Sequence, residues 1–475
     1  MSENPRPCVV FGCRSRDPSG DVALEVREGP HYHRRVSRRP ISRPFEGDVR
    51  SAGITLEFMT RQRVRIAIVG INYAPESIGI APYTTLLASG LAARGHEVRV
   101  LTGFPHYPEW TRHEGCFRLH SEEIANRVRV GRFGHYLPRR ATAFGRALME
   151  ITFGLQVLLA RWNDPEVVLF VSPPLLAAGM SAMRARLSRS RPAVGVIVHD
   201  IYSRAIEETS AIGGRSVPAV RALEAAVLRL ADEVVVIHEG FTEILERLGT
   251  DHGRIRTIRN WNHVAPPDPA ASAVFRASSG WSSGEVVVLH SGNMGAKQGL
   301  ENVLAAARLA SLERLRVRFV LLGDGNQRAR LEAEGAGIDT LQFLDPVGDD
   351  IFPAVLGAAD VLLVNERPGV AQMAVPSKLT SYLNSGKPVL AATDSDSFTA
   401  AEVAASGAGV RVPPDRPDLL LREAVRLGTD SALAIRFADA GRRYCATVLS
   451  EHEALDRYEE WILDLVHAAR GLGTH

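Results

Sequence analysis

Val64-Arg65-Ile66-Ala67-Ile68-Val69 runs into a Gly/Pro loop, residues 70–82, and then into a helical pattern over about Tyr83–Ala93 that stops at Gly95. A short apolar strand, a loop that can turn sharply and a returning helix make the repeating unit of a parallel α/β sheet. Glu97–Leu101 is the next strand, and β-branched runs follow at Val167–Val171, Val194–Val198 and Val234–Ile237. The unit restarts at Val286-Val287-Val288-Leu289 with a glycine loop and a helix from about Leu300. Strands at Arg318–Leu322, Val361–Val364 and Pro388–Ala391 complete the second series. Between the two series, residues 263–284 are dominated by Pro, Ala, Ser and Gly and read as an interdomain linker. The expected fold is therefore α/β, with two doubly wound, Rossmann-like domains (61–262 and 285–449) facing across a cleft. Ligands are expected at the C-terminal ends of the strands. A last amphipathic helix within 450–475, acidic in its first turns, is expected to pack back on the first domain.

A chain of 475 residues, 45% hydrophobic, can bury two cores. Residues 1–60 are rich in Arg, Pro, Ser and Gly without a sustained period and read as a disordered extension, with Met59 an alternative start. The formal net charge is +2, and the basic face of a nucleic-acid binder is missing from the pattern. Cys8, Cys13, Cys116 and Cys445 show no paired spacing, as expected of reduced thiols in a cytoplasmic protein. The N-terminus lacks the apolar run of a signal peptide. Ala143–Trp162 is interrupted by Arg146, Glu150, Gln156 and Arg161, and Val167–Met183 by Pro173-Pro174, so neither reads as a spanning helix. Arg139, Arg140 and Arg146 give the first of these stretches a basic start. Such a helix can lie on an anionic membrane surface, or be a largely buried helix with a solvated basic end.

Only three lysines occur, Lys297, Lys378 and Lys387, against a background of arginine. All three sit in loops expected to meet a ligand, and lysine is a compact point charge suited to phosphate oxygens. In the loop 292–299, Gly292 and Gly295 would let backbone amides approach a phosphate, or would serve only as a tight strand-to-helix turn. Ser377 is placed to cap the next helix beside Lys378, with or without a ligand.

Several ordered motifs share a family likeness. They are Gly70-Ile71-Asn72-Tyr73-Ala74-Pro75-Glu76, Thr102-Gly103-Phe104-Pro105-His106-Tyr107-Pro108, Ser172-Pro173-Pro174, Asp200-Ile201-Tyr202, Asn260-Trp261, Ser291-Gly292-Asn293-Met294-Gly295, Gly323-Asp324-Gly325 and Pro376-Ser377-Lys378-Leu379. Together they resemble glycosyltransferase family four, in the branch that holds the colanic acid fucosyltransferase and L-fucosamine transferases. The resemblance implies a GT-B fold, a retaining transfer without cofactor or metal, and a nucleotide-sugar donor, GDP-fucose or UDP-N-acetyl-L-fucosamine. It assigns Gly79, Gly292, Asn293, Gly295, Lys297, Ser377, Lys378 and Ser381 to the donor. It also assigns His199 and Asp200 to catalysis, and His106 and Tyr107 to the acceptor side. The implied acceptor is a lipid-linked saccharide at the inner face of the cytoplasmic membrane.

The chain departs from the broad pattern where most members carry two glutamates; Met373 and Ser381 stand there. Asn293 replaces an arginine, and the usual lysine position, one after Lys297, holds Gln298. These changes shift weight onto Lys378. Asp394-Ser395-Asp396 resembles a metal motif of another glycosyltransferase fold, but follows a strand where metal is not expected. Two other readings share the architecture: a nucleotide-sugar 2-epimerase, which needs a carboxylate pair in the cleft, and a silent scaffold.

Overall fold

A computed structural model describes residues 62–471, except 78, 108–109, 112–118, 139–141, 205–216 and 371–376. The extension over 1–60, together with Arg139, Arg140, Met373 and Pro376, lies outside the described residues. The first sheet contains β1 (Arg65–Val69), β2 (Glu97–Gly103), β3 (His120–Ala125), β4 (Val128–Phe133), β5 (Val167–Val171), β6 (Ala193–Val198), β7 (Glu233–Val236) and β8 (Ile255–Thr257). Its order is β3-β4-β2-β1-β5-β6-β7-β8, parallel except for the antiparallel β3–β4 pair. The second sheet contains β9 (Val286–Ser291), β10 (Val317–Leu322), β11 (Leu341–Leu344), β12 (Val361–Asn365), β13 (Val389–Ala392) and β14 (Gly409–Val412). It is parallel throughout, in the order β11-β10-β9-β12-β13-β14.

β5 and β6 are buried along their whole length because helices cover both faces, which is why they read as unbroken apolar runs. Phe153, Val157, Ala182 and Val227 line one side of the first sheet. Leu87, Leu91, Tyr458 and Trp461 line the other. The last two belong to the helix Glu451–Ala469, which thus completes the first domain's core. Gly195 makes room for it: a Cβ there would lie 2.6 Å from the Trp461 ring. The β3–β4 hairpin turns through Asn126 and Arg127, at φ 50° and 66°, the left-handed pair of a two-residue hairpin loop.

The segment 263–284 is more than a connection. It carries the helix Pro269–Ser278, capped by Asp268, whose side chain accepts from the Ala270 amide. Arg276 in that helix pairs with Asp360 at 3.1 Å, and Trp281 is buried in the second core. Its Pro, Ala and Ser content disguised an ordinary N-capped helix with proline at its start. The two halves meet directly at Phe398, whose ring lies 5.2 Å from Phe241, next to Gly240. Beside this contact Arg259 holds Glu402 at 2.5 Å and also bonds the Tyr444 hydroxyl.

Candidate active site

β9 ends in His290-Ser291 and turns at Gly292, where φ is 111°. Gly323 follows β10, and a Cβ there would sit 2.1 Å from the Gly292 carbonyl oxygen, so the two loops touch backbone to backbone. The Met294 amide donates to the Asp324 carbonyl at 2.8 Å, and the Gln327 amide to the Met294 carbonyl at 3.0 Å. Gln298 Oε1 accepts from the Gly295 amide at 3.0 Å. Asn365, at the end of β12, donates through Nδ2 to the Gln298 and Gly299 carbonyls at 2.8 and 2.9 Å. The loop that carries Asn293 and Lys297 is thereby tied to three strand ends.

Lys378 opens the helix Lys378–Asn384 and reaches back to this loop. Its Nζ lies 3.2 Å from His290 Nε2, and a Cβ on Gly292 would stand 3.6 Å from the same nitrogen. The pair fits an ammonium donating to a neutral imidazole, because burial and the Lys378 charge hold His290 well below its usual range. Burial also pushes the Lys378 ammonium down to about 7, against the pull of Glu366 and with a further push from Lys297. Glu366 follows β12, and its carboxylate accepts from the hydroxyls of Thr393 and, at 2.8 Å, Thr399. Its burial raises its pKa, with those two hydroxyls, Lys378 and Lys297 opposing the rise.

The expected serine cap is corrected. Ser377 is in helical conformation itself (φ −57°) and its side chain caps nothing, since a cap needs extended backbone to turn the hydroxyl onto the helix amides. Ser381 is not part of that correction: it is buried and donates to the Lys378 carbonyl at 2.9 Å, which leaves its oxygen as an acceptor. Lys387 is a second correction. It precedes β13, at the edge where the parallel strands begin, and Asp360 and Arg276 are the charges beside it.

Across from the lysines, His199 and Asp200 follow β6. His199 is buried against the Tyr83 ring, 5.9 Å between centroids, with the Asn260 amide 3.5 Å from its Nδ1. Burial lowers its pKa to about 4, leaving it neutral. Asp200 is raised by burial and lowered by the Lys297 charge, which links the two halves of the molecule at this point. Gly79 (φ 68°) adjoins Tyr107: a Cβ there would be 3.6 Å from the phenol ring. His106 and Tyr107 are positioned by Glu76, whose Oε1 accepts both backbone amides at 2.9 and 3.0 Å. Asn72 Nδ2 donates to Glu76 Oε2 at 2.8 Å.

Two family descriptions match this chain in series: Glycosyl transferase 4-like domain over residues 79–261, and Glycosyl transferases group 1 over 285–430. WcaI of Escherichia coli (strain K12), named as a colanic acid biosynthesis glycosyl transferase, is 32% identical over 340 residues, which are 68% of this chain and 82% of WcaI. The chain is a family 4 glycosyltransferase. Solved structures show the same GT-B fold. Sucrose-phosphate synthase from Thermosynechococcus elongatus has a TM-score of 0.67 at 18% identity, covering 86% of this glycosyltransferase and 100% of that chain. Anabaena HepE in complex with UDP has a TM-score of 0.62 at 14% identity, covering 84% and 99%.

In this glycosyltransferase the structure brings Gly292 and Lys297 to Lys378, sets Lys297 against Asp200, and places Gly79 beside Tyr107. It adds three residues that sequence reading passed over. His290 is a polar residue ending an otherwise apolar strand, and that break in the pattern was the available signal. Glu366 directly follows a buried strand in the same way. Glu76 lay inside a quoted motif, but its buried position beneath His106 depends on a contact thirty residues away. Asp394, from the metal-like motif, accepts the Gly369 amide at 2.7 Å and so braces the loop after β12.

Proposed function

We propose that this glycosyltransferase moves a sugar, with retention, from a nucleotide-sugar donor to a hydroxyl of a lipid-linked surface-polysaccharide precursor at the inner face of the cytoplasmic membrane. GDP-fucose and UDP-N-acetyl-L-fucosamine are the first donors to test. The observation that carries the reading is Lys378, a half-buried ammonium beside His290 at the mouth of a loop whose glycine lets backbone and charge converge. The UDP-bound HepE complex and the name of WcaI support the donor class and the pathway class, respectively.

In this reading the diphosphate lies over the Gly292 loop. As the glycosidic bond breaks, negative charge gathers on the phosphate oxygens, where Lys378 and the loop amides stabilise it. Lys297 shares that charge and also faces Asp200. His199, neutral at physiological pH, contributes a hydrogen bond to the sugar rather than a charge. The acceptor hydroxyl enters beside Tyr107, on the face the diphosphate leaves, and a phosphate oxygen takes its proton. Metal and cofactor have no part in this scheme.

Incubating the pure protein with a panel of GDP- and UDP-sugars and following nucleotide release tests the donor. Slow release from one donor, accelerated by a lipid-linked saccharide, is expected. Failure of a folded protein to bind any nucleotide sugar would overturn the assignment.

A further inference from the structure

The helix Ala143–Leu159 is apolar on two opposite faces, and among the described residues only one is packed into a core. Met149, Phe153 and Val157 point into the first core. On the other side Phe144, Ile151, Leu155 and Leu159 are 79%, 38%, 49% and 86% exposed. Their spacing of seven, four and four residues aligns them in one stripe along the helix. The neighbouring helix Leu175–Leu187 extends the apolar surface with Met183 and Leu187, 55% and 80% exposed. Arg184 joins the two helices by donating to the Val157 and Leu158 carbonyls at 2.8 Å. Arg161, Arg189 and Arg191 stand exposed at this end, outnumbering the acid Asp164.

We infer that this stripe is a docking face for an anionic phospholipid surface, with the helix lying in the interface plane. A large exposed apolar stripe with arginines beside it matches that partner in both hydrophobicity and sign of charge. No described helix is long and apolar enough to cross a membrane, so the contact is one of lying on the surface. The N-terminal end of the helix adjoins the acceptor side of the cleft, through Arg146 on the face opposite the stripe. The Arg146 guanidinium stands 5.7 Å from the Trp110 ring, and Trp110 stands 6.3 Å from Tyr107. The inference rests on the lipid-linked acceptor proposed above and gives it a route: the carrier lipid stays in the bilayer while its saccharide reaches Tyr107.

Vesicle flotation tests it without any sugar substrate. The protein is expected to float with phosphatidylcholine vesicles that contain phosphatidylglycerol, more weakly as salt rises, and to stay behind with phosphatidylcholine alone. Phe144→Gln/Leu155→Gln/Leu159→Gln should lower the bound fraction at least about tenfold. Arg161→Gln/Arg189→Gln/Arg191→Gln should remove the preference for the anionic lipid. Binding of UDP and GDP by calorimetry should be the same in all three proteins, which separates this test from that of the donor site. If the triple apolar variant does not fold, Leu159→Gln alone should still lower flotation about twofold to threefold. Equal flotation of the wild type and the apolar variant would overturn the inference. So would a wild type that never floats, or a dimer in sedimentation that the apolar variant breaks while vesicles go unbound.

Discussion

The two sheets end in the same kind of turn, yet they collect different chemistry. At the ends of β9 and β12 the chain gathers Lys378, Lys297 and His290 around glycine, with Glu366 behind them. At the ends of β1 and β6 it gathers a neutral imidazole, His199, and two carboxyl groups, the buried Glu76 and the half-buried Asp200. One side concentrates positive charge; the other ties its loops together through a carboxylate, as Glu76 does for the His106 and Tyr107 amides. Sharing a fold therefore says little about the task of each half, which is decided by a few side chains at the strand ends.

The strongest way to break this contrast is Lys378→Ala. A charge-assisted contact to a diphosphate contributes roughly 1.5–3 kcal/mol, so activity should fall about ten- to 150-fold. Most of that loss should appear in kcat, because the charge on the leaving group grows along the reaction. Lys378→Arg should recover only part, since the longer planar fork must fit a site shaped against His290 and Gly292. Unchanged turnover in folded Lys378→Ala protein would put the phosphate site elsewhere.

The second test uses pH. Empty, the Lys378 ammonium titrates at about 7; a bound diphosphate favours the charged form and raises that value. Above pH 7 the empty site has lost its proton and nucleotide binding must restore it. Affinity should therefore be flat below about pH 7 and fall up to about tenfold per unit above it. Calorimetry at pH 8 should show proton uptake on binding. In Lys378→Ala both the slope and the uptake should vanish.

On the opposite side, Glu76→Gln keeps an acceptor oxygen but removes its charge from the His106 and Tyr107 amides. The acceptor KM should rise about three- to tenfold while nucleotide affinity stays constant. Loss of nucleotide binding in that variant would show that the two sides are not separate. The smallest effect is expected for Lys387→Ala, within about twofold of wild type in kcat/KM, because Lys387 lies at the far end of the second sheet beside Asp360.

Much of the fold was legible in the sequence because the central strands are buried on both faces. Val167–Val171 could be read residue for residue. The hairpin strand His120–Ala125 could not, because it is an exposed edge whose stability comes from pairing with β4 rather than from apolar residues of its own. β11 and β14, the edge strands of the second sheet, do send Leu341, Phe343 and Val412 into the core, but at four residues each they are too short to show a pattern. In the site, Lys378 stood out as a rare residue type. Glu366 did not, because one glutamate among many acquires meaning only when burial and two threonine hydroxyls surround it. Lys387 misled for the opposite reason: its rarity was real, but the direction of the next strand puts it at the wrong end.

The Trp461 ring over Gly195 also bears on how the chain is made. The helix that carries Tyr458, Trp461, Ile462 and Leu465 closes the first core, yet a ribosome translates it only after the entire second sheet. Until then the first half emerges with the apolar backs of β5 and β6 open to solvent. It cannot mature as an independent folding unit ahead of the rest, as the leading half of a two-part chain usually does. During synthesis that bare sheet is the surface a holding chaperone would meet, and covering it is the last step of assembly.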